Sequence, residues 1–290
     1  MAGQLIECVP NFSEGRDAAV VQVIELAIAS VSGVMLLQRD MDPDHNRSVI
    51  TFAGPPEAVA EGALRGIGVA VERIDLQRHS GVHPRIGAAD VVPFVPLECA
   101  TLKDCAALAH QVGHAVWERM GVPVYFYEAA AITPERAPLE NVRRGGFENP
   151  SLGPDLGGPA LHPTAGACAI GARKLLVAFN VNLNSSDIGV AKEVAQKIRA
   201  STGGLPFVKA MGVSLPSRGL VQVSMNLTNY EVTPVSRVLA AISTEAASHG
   251  ISITGTEIVG LAPRKALEGC RDVDQSRILE DRLAESRKMK

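Results

Sequence analysis

QLIECVPNF, residues 4–12, and KLLVAFNVNL, residues 174–183, are two apolar runs that each lead to an asparagine. Each run has the pattern of a buried strand, and each is followed by polar, helix-capping residues and then by apolar residues at helical spacing. Such internal similarity indicates a duplicated structural module. The two stretches therefore decide the fold, and the elements of each half follow from them.

The first half continues from its opening strand with a predicted helix, whose N-cap is Ser13. Two strands follow, GVMLLQRDMD at 33–42 and NRSVITFAG at 46–54, joined by the turn DPDH. The proline pair at 55–56 opens a second helix, as proline is tolerated in a first turn. DVVPFVPL, at 90–97, is the last strand, so the predicted order is βαββαβ.

The second half repeats this order. The serine pair at 185–186 is predicted to cap a helix, and the segments 205–215 and 219–230 read as the next two strands. A helix at 233–250 ends on a glycine, which is a favoured C-terminal stop. The last strand is predicted at 251–263.

The predicted fold class is α+β, with two ferredoxin-like βαββαβ α/β-sandwich subdomains that arose by internal duplication. We place the subdomains at residues 1–178 and 179–290. Two such modules side by side are expected to form a cleft between sheet faces, a usual place for a small-molecule site. Residues 264–290 are predicted to form a charged, solvated helix.

Composition narrows the class of protein. The chain has 290 residues, 46% of them hydrophobic and 20% charged, and a formal net charge of −3. These values are typical of a globular protein, and scattered basic residues argue against a nucleic-acid partner. We find no leader peptide, no apolar run of the roughly 20 residues that span a membrane, and no CxxC spacing among the five cysteines. We therefore expect a cytoplasmic protein with reduced thiols and no membrane partner.

The two halves differ at the junction between the second helix and the last strand. SHGIS, at 248–252, joins these elements directly in the second half, whereas the first half carries LQRHSGVHPRIGAAD at 76–90. The fold does not require this insertion, and it contains His79 and His83. The proline after His83 favours an extended backbone there, and histidine is the side chain best suited to move a proton near neutral pH. We predict that His83 is a catalytic acid or base; the alternative is a histidine that only hydrogen-bonds its own loop.

Polar residues near the first hairpin form the second candidate group. Asp40 ends one predicted strand and Arg47 begins the next, so both are expected to project from the sheet edge into the cleft. Arg47, or Arg85 in the insertion, can bind a substrate carboxylate through its guanidinium. Asn11, at the end of strand one, is assigned to the same substrate site. The acidic residues of the turn itself are explained equally well by turn chemistry.

The first half also gains a helix, a strand and the Gly- and Pro-rich segment 132–172. So long a stretch with little periodicity is either functional or disordered. At 166–173, GACAIGAR has Ala172 and Arg173 where a phosphate-binding loop requires Lys and Ser/Thr. Its glycines can let a ligand approach the backbone closely, and His162 is a further candidate acid or base. His110 and His114 lack the glutamate of a zinc-protease motif, so we predict no metal site.

Five stretches together resemble the glutamate formimidoyltransferase family: ECVPNFSEG, NRSVITFAG, HSGVHPRIGAADVVPFVP, IGARKLLVAFNVNL and VSMNLTNYEVTP. The resemblance runs in order from about residue 5 to about residue 265, and its most specific element is the HPRxGAxD stretch at 83–90. The family transfers the formimino group of N-formimino-L-glutamate to N5 of tetrahydrofolate. The resemblance thus implies tetrahydrofolate as co-substrate, formiminoglutamate as donor, no metal, and a homodimer.

The resemblance also implies residue roles. The family's catalytic histidine falls on His83, and Asp40 corresponds to a position near the reactive centre. Vertebrate members have a glutamate where Val82 stands, aromatic residues in the folate loop, and a fused cyclodeaminase domain, so we expect a separate protein to release ammonia from the product here. The family's folate-binding loop falls on Gly157, Gly158, Pro159, Ala160, Leu161, His162, Pro163, Thr164, Ala165 and Gly166.

Other functions remain open on these residues. A formyl group has an oxygen atom where a formimino group has N–H. Formyl transfer from N-formylglutamate, or processing of 5-formyltetrahydrofolate, is therefore an alternative at the same folate site. A folate-binding protein without catalysis is an alternative from another class, although the intact HPR sequence at 83–85 argues against it. The last alternative is a duplicated module that serves only as a structural scaffold in an oligomer.

Overall fold

The computed structural model describes residues 3–270 and 272–288. The chain divides into two compact units, Met1–Lys174 and Leu175–Lys290, and each has its own hydrophobic core. Within the described ranges, no helix combines the length and apolar character that crossing a bilayer requires.

The elements of the first unit are β1 Ile6–Cys8, β2 Asn11–Phe12, α1 Ala18–Ala29, β3 Met35–Asp42, β4 Arg47–Gly54, α2 Pro56–Arg73, β5 Ala89–Pro96, α3 Leu102–Met120, β6 Val124–Glu128, α4 Leu139–Val142 and β7 Cys168–Ala172. The predicted first strand is thus divided into β1 and β2. The break falls at Val9 and Pro10, and proline has no N–H to donate to a neighbouring strand.

The elements of the second unit are β8 Val177–Leu183, α5 Ile188–Ile198, β9 Val208–Leu215, β10 Leu220–Leu227, α6 Val235–Ser248, β11 Ile253–Val259 and α7 Leu279–Lys288. With β1 and β2 counted as one strand, both halves begin with the predicted βαββαβ order.

The two sheets share a four-strand order. In the second unit the order is β11-β8-β10-β9, and every neighbouring pair is antiparallel. In the first unit the corresponding order is β5, then β1 with β2, then β4 and β3. Strands β7 and β6 extend this sheet from the β5 edge, and both new pairings are parallel. The first sheet is therefore mixed and the second antiparallel.

The three long helices of the first unit, α1, α2 and α3, cover one face of its sheet. Alternate residues on β4 and β5, such as Ile50, Phe52, Val92 and Phe94, belong to the core that includes residues of these helices. Because successive side chains of a strand point to opposite faces, the residues between them lie on the other face. We call this the helix-free face because none of the three long helices covers it, and it carries the polar residues of the site described below.

The predicted helix caps are wrong at two positions. Asp17, not Ser13, caps α1, and its carboxylate accepts from two N–H groups of the first turn. Ser13 is buried, and its hydroxyl donates to the carbonyl oxygen of Gly87 at 2.7 Å. Asp187, rather than the serine pair at 185–186, caps α5. Serine and aspartate are equally good caps, so the sequence pattern alone did not distinguish the neighbouring candidates.

The C-terminal segment 264–290 is only partly the solvated helix that was predicted. Helix α7 begins at Leu279, and short 3-10 turns at Arg264–Leu267 and Gln275–Arg277 precede it. The prediction missed the apolar residues of these turns because no helical or strand periodicity marks them. The core of the second unit includes four apolar side chains from this segment: Ala266, Leu267, Val273 and Ile278.

Candidate active site

The helix-free face of the first sheet brings together three of the predicted site residues. Strand register pairs Asp40 with Val49 and Asp42 with Arg47, and it also pairs Asn11 with Val49. Paired residues lie on the same face, so these side chains share it. Arg47 donates two hydrogen bonds to Oδ1 of Asn11, from Nε at 3.0 Å and from Nη2 at 2.5 Å.

The insertion that carries His83 is docked on the turn between β3 and β4. The N–H of Val82 donates to the carbonyl oxygen of Asp44 at 3.2 Å. The side-chain amide of Asn46 donates to the carbonyl oxygen of Ser80 at 3.1 Å. The first hairpin of the fold therefore holds the inserted segment in place beside the polar sheet face.

The ring of His83 lies against the ring of His45, with 5.7 Å between their centroids. Its Nδ1 is shielded from water and has no hydrogen-bond partner among the residues that the structure describes. Burial holds the pKa of His83 well below its usual range, and the charges of Arg47 and Arg143 act in the same direction. At neutral pH the ring is therefore uncharged and able to accept a proton.

Asp90 and Arg143 belong to this site and were not among the predicted site residues. Asp90 is buried, accepts a hydrogen bond from the N–H of Ile86 at 2.8 Å, and forms an ion pair with Nη2 of Arg143. Asp90 ends the HPRxGAxD stretch, which was a usable signal. Arg143 follows α4 in the sequence NVRRGG, where nothing in the pattern distinguishes it from the adjacent Arg144.

Arg85 is engaged by two protein groups. Its Nη2 donates to the carbonyl oxygen of His79 at 3.1 Å and to Oε1 of Glu148 at 2.8 Å. Arg85 thus links the inserted segment to the Gly- and Pro-rich segment. Its role in binding a substrate carboxylate stays a prediction.

The predicted folate loop, 157–166, lies beside the segment that carries His83. Gly87 and Gly166 form an antiparallel bridge, and the N–H of Ala88 donates to the carbonyl oxygen of Ala165 at 2.9 Å. The two parts of the chain that were singled out for different roles are therefore hydrogen-bonded neighbours.

His162 shapes the turn of this loop. Its Nδ1 accepts hydrogen bonds from the N–H groups of Ala165 at 3.0 Å and Thr164 at 3.4 Å. Its backbone pairs with that of Gly166 in both directions at 2.9 Å. A nitrogen that accepts from N–H groups carries no proton, so this geometry favours a structural role over proton transfer at Nδ1.

Residues 129–167, which we call the cover segment, connect β6 to its parallel neighbour β7. A parallel connection must return along the length of the strand, and here it does so over the helix-free face. Val142 and Leu152 pack there in a small apolar cluster with Tyr125 and Tyr127. The cover segment therefore brings both the predicted folate loop and Arg143 to the polar face.

No cluster of three or more His, Cys, Asp or Glu side chains suited to a metal ion occurs within residues 3–270 and 272–288. The two histidines of α3 have other surroundings. The ring of His110 packs on Phe126, with 4.2 Å between centroids, and His114 is exposed.

Family models match both halves of the chain. The N-terminal subdomain of the formiminotransferase domain matches residues 5–173, and the model named formiminotransferase domain matches residues 178–279. The chain belongs to the formiminotransferase family. The resemblance inferred from the five sequence stretches is confirmed.

The alignments with curated relatives cover most of the chain. The glutamate formimidoyltransferase of Thermoplasma acidophilum is 47% identical over 91% of this chain and 89% of its own. The enzyme of the same name from Streptococcus pyogenes serotype M1 is 42% identical, over 91% of each chain. The formimidoyltransferase-cyclodeaminase of Sus scrofa is 42% identical over 91% of this chain, which spans 51% of the length of that relative.

In the second unit, polar residues alternate with core residues along the strands. Asn182, the second asparagine of the run at 174–183, donates to Oε1 of Glu257 at 3.1 Å. Gln222 donates to Oδ1 of Asn182 at 2.8 Å, and Arg218 forms an ion pair with Glu257 at 2.5 Å. These side chains neutralise and hydrogen-bond one another within the unit.

Glu7 is a buried carboxyl on the helix-free face of the first sheet, since it pairs with Ala53 on β4. Burial raises its pKa to about 7, although the charge of Arg173 opposes the shift. The unfolded carboxyl has a pKa of 4.5. Between pH 4.5 and about 7 the folded protein therefore holds a proton that the unfolded chain has released, and stability falls as pH rises through this window.

We expect Glu7→Gln to be more stable than the wild type at pH 8 by up to about 3 kcal/mol, because glutamine cannot ionise. Near pH 4.5 the two proteins should have nearly equal free energies of unfolding. Urea unfolding at both pH values measures the difference. The exposed Glu118→Gln is the matched control and should show no such dependence. A stability difference that is the same at both pH values would show that Glu7 ionises normally.

Proposed function

We propose that this chain is a glutamate formimidoyltransferase, which transfers the formimino group of N-formimino-L-glutamate to N5 of tetrahydrofolate. The family membership of both halves and the two relatives with that name support the proposal. The observation that carries it is the bridge between Gly87 and Gly166, which joins the His83 segment to the proposed folate loop. A proton-transfer group and an acceptor-binding loop thus meet beside one polar sheet face.

His83 acts in this proposal as the acid and base of the transfer. N5 attacks the amidine carbon, a new N–C bond forms, and the neutral imidazole takes the proton from N5. The ring then gives that proton to the glutamate nitrogen, the old C–N bond breaks, and glutamate leaves as an amine. A well-placed acid/base group typically contributes about 10²–10⁴-fold to such a step.

Charged side chains on the helix-free face position the donor. The amidine of the donor is cationic, and the carboxylate of Asp40, on the same face as Arg47, attracts it. Arg47 binds a donor carboxylate and is itself oriented by Asn11, and Arg85 is a second candidate for this binding. Holding both substrates in one geometry supplies further acceleration.

The loop Gly157–Gly166 binds tetrahydrofolate in this proposal, and no metal takes part. Gly157 packs closely on Trp117, since a Cβ at this glycine would lie 2.6 Å from the indole ring. The ring is partly exposed. It provides an aromatic surface beside a loop that has no aromatic residue of its own.

We further infer that the subdomains, 1–178 and 179–290, are ferredoxin-like modules descended from one duplicated ancestor. Their common four-strand order supports this inference. A cytoplasmic location and a homodimer complete the proposal, and both rest on the sequence and the family resemblance.

The test is incubation of the purified protein with tetrahydrofolate and each of two donors, with the absorbance of the folate recorded. We expect rapid turnover of N-formimino-L-glutamate and at least tenfold slower turnover of N-formyl-L-glutamate. Faster reaction of the formyl donor would establish formyl transfer instead. Folate binding with no turnover of either donor would establish a non-catalytic binding protein.

A further inference from the structure

Arg143 is held rigidly at the edge of the site. It directly follows α4, and the neighbouring Val142 is buried in the apolar cluster of the cover segment. Its Nη2 is paired with Asp90, whose other oxygen accepts from the N–H of Ile86. The side chain of Arg143 is only 12% exposed. A long, flexible side chain has thus been fixed beside His83.

The two arginines near His83 carry like charges that repel each other. Arg47 and Arg143 both act electrostatically on His83, and each of the two arginines is close enough to affect the other. Asp90 is the carboxylate that acts on Arg47, whose guanidinium hydrogen-bonds the neutral amide of Asn11. Asp90 is thus shared by two arginines of like charge, and an anion supplied from outside would relieve their mutual repulsion.

Two hydrogen-bonding atoms also lack partners at this point. Nε of Arg143 and Nδ1 of His83 are both withdrawn from water, and neither has a hydrogen-bond partner in the described part of the chain. Buried polar atoms are nearly always satisfied, so these two atoms are open to a group that is supplied from outside. The missing partner must accept from a guanidinium and carry negative charge.

We propose that Arg143, together with Arg47, binds the α-carboxylate of the amino-acid donor beside His83. The inference rests on the proposed function and names the part of the donor that this corner recognises. In N-formimino-L-glutamate the α-carboxylate is two bonds from the nitrogen that must receive the proton. A carboxylate held at Nε of Arg143 therefore places that nitrogen near the imidazole.

The test compares the donor with its α-amide and its γ-amide, for the wild type, Arg143→Met and Arg143→Lys. A hydrogen bond to a charged group is worth about 10-fold to 150-fold in affinity. We expect wild-type kcat/KM to fall by that factor for the α-amide, and much less for the γ-amide. Arg143→Met should lose the same factor with the natural donor and should distinguish donor from α-amide much less than the wild type does, since only Arg47 remains to bind the α-carboxylate. Arg143→Lys should regain part of the lost kcat/KM, since lysine keeps the positive charge but cannot donate two parallel hydrogen bonds to one carboxylate.

The adjacent, exposed Arg144→Met is the matched control and should behave as the wild type. Thermal unfolding confirms that each variant is folded, and calorimetric titration with L-glutamate measures carboxylate binding without turnover. If folded Arg143→Met binds L-glutamate as the wild type does, or discriminates against the α-amide as strongly as the wild type does, the inference is overturned. Loss of discrimination against the γ-amide alone would overturn it as well. Absence of turnover in the wild type would instead refute the proposed function, and the L-glutamate titration would still test Arg143.

Discussion

Replacing His83 by alanine is expected to lower kcat about 10²–10⁴-fold, because the proton must then move from N5 to the glutamate nitrogen through water. Binding of tetrahydrofolate and L-glutamate should change little, since the ring makes no hydrogen bond through Nδ1 within the described chain that its removal would break. Stopped-flow single-turnover measurement of the folate product, with calorimetry for binding, separates the two effects. His114→Ala, on the exposed face of α3, is the control and should retain full activity.

The pH profile provides a second measurement on His83. Its pKa lies well below 6.5 in the free protein, so the ring stays neutral and competent as pH falls through 6.5. The acid limb of kcat/KM should therefore appear below pH 6.5, where the half-buried ring becomes protonated. His83→Ala should lack this limb. A variant that keeps near-wild-type turnover, or keeps the same acid limb, would show that another group transfers the proton.

Gly87→Ala is expected to destabilise the protein by about 3 kcal/mol and to weaken tetrahydrofolate binding at least tenfold. A Cβ at Gly87 would lie 1.8 Å from the carbonyl oxygen of Ala167, so the backbone on one side of the bridge to Gly166 must move. Because that bridge joins the His83 segment to the proposed folate loop, the displacement affects both. Urea unfolding and a folate titration measure the two consequences.

Gly153→Ala is the matched substitution for comparison. Gly153 lies in the cover segment, its φ is not positive, and nothing lies within 4 Å of the position of an added Cβ. Alanine there should leave both stability and folate binding unchanged. Equal effects of the two substitutions would mean that the contact between the loops does not organise the site.

The sequence alone was sufficient to predict the division of the molecule into two halves and the strands of each half. Periodicity identifies β4 and β5 because their buried residues alternate or run together, and the glycine or proline boundaries mark their ends. The same reasoning singled out His83, since the insertion at 76–90 stands out against the short junction of the second half. Repetition within one chain thus served as an internal comparison.

The sequence was insufficient where a residue acts through tertiary contact alone. Arg143 lies in a segment without periodicity, and its pairing with Asp90 joins residues that are 53 positions apart. Asp17 and Ser13 have the same capping propensity, and only the buried contact of Ser13 with Gly87 decides between them. Such choices depend on which groups meet in space, and a single sequence does not encode that in any local pattern.

The parallel strands at the edge of the first sheet explain why the two halves are unequal. An antiparallel neighbour can be joined by a tight hairpin, but β7 runs in the same direction as β6, so the chain has to travel back between them. The residues of that returning connection cover one face of the sheet, whether or not they form a helix. In the second unit the returning connections are the helices α5 and α6, and they join strands that are not neighbours in its sheet. The two extra parallel strands at the β5 edge therefore account for the cover segment, which the second unit lacks.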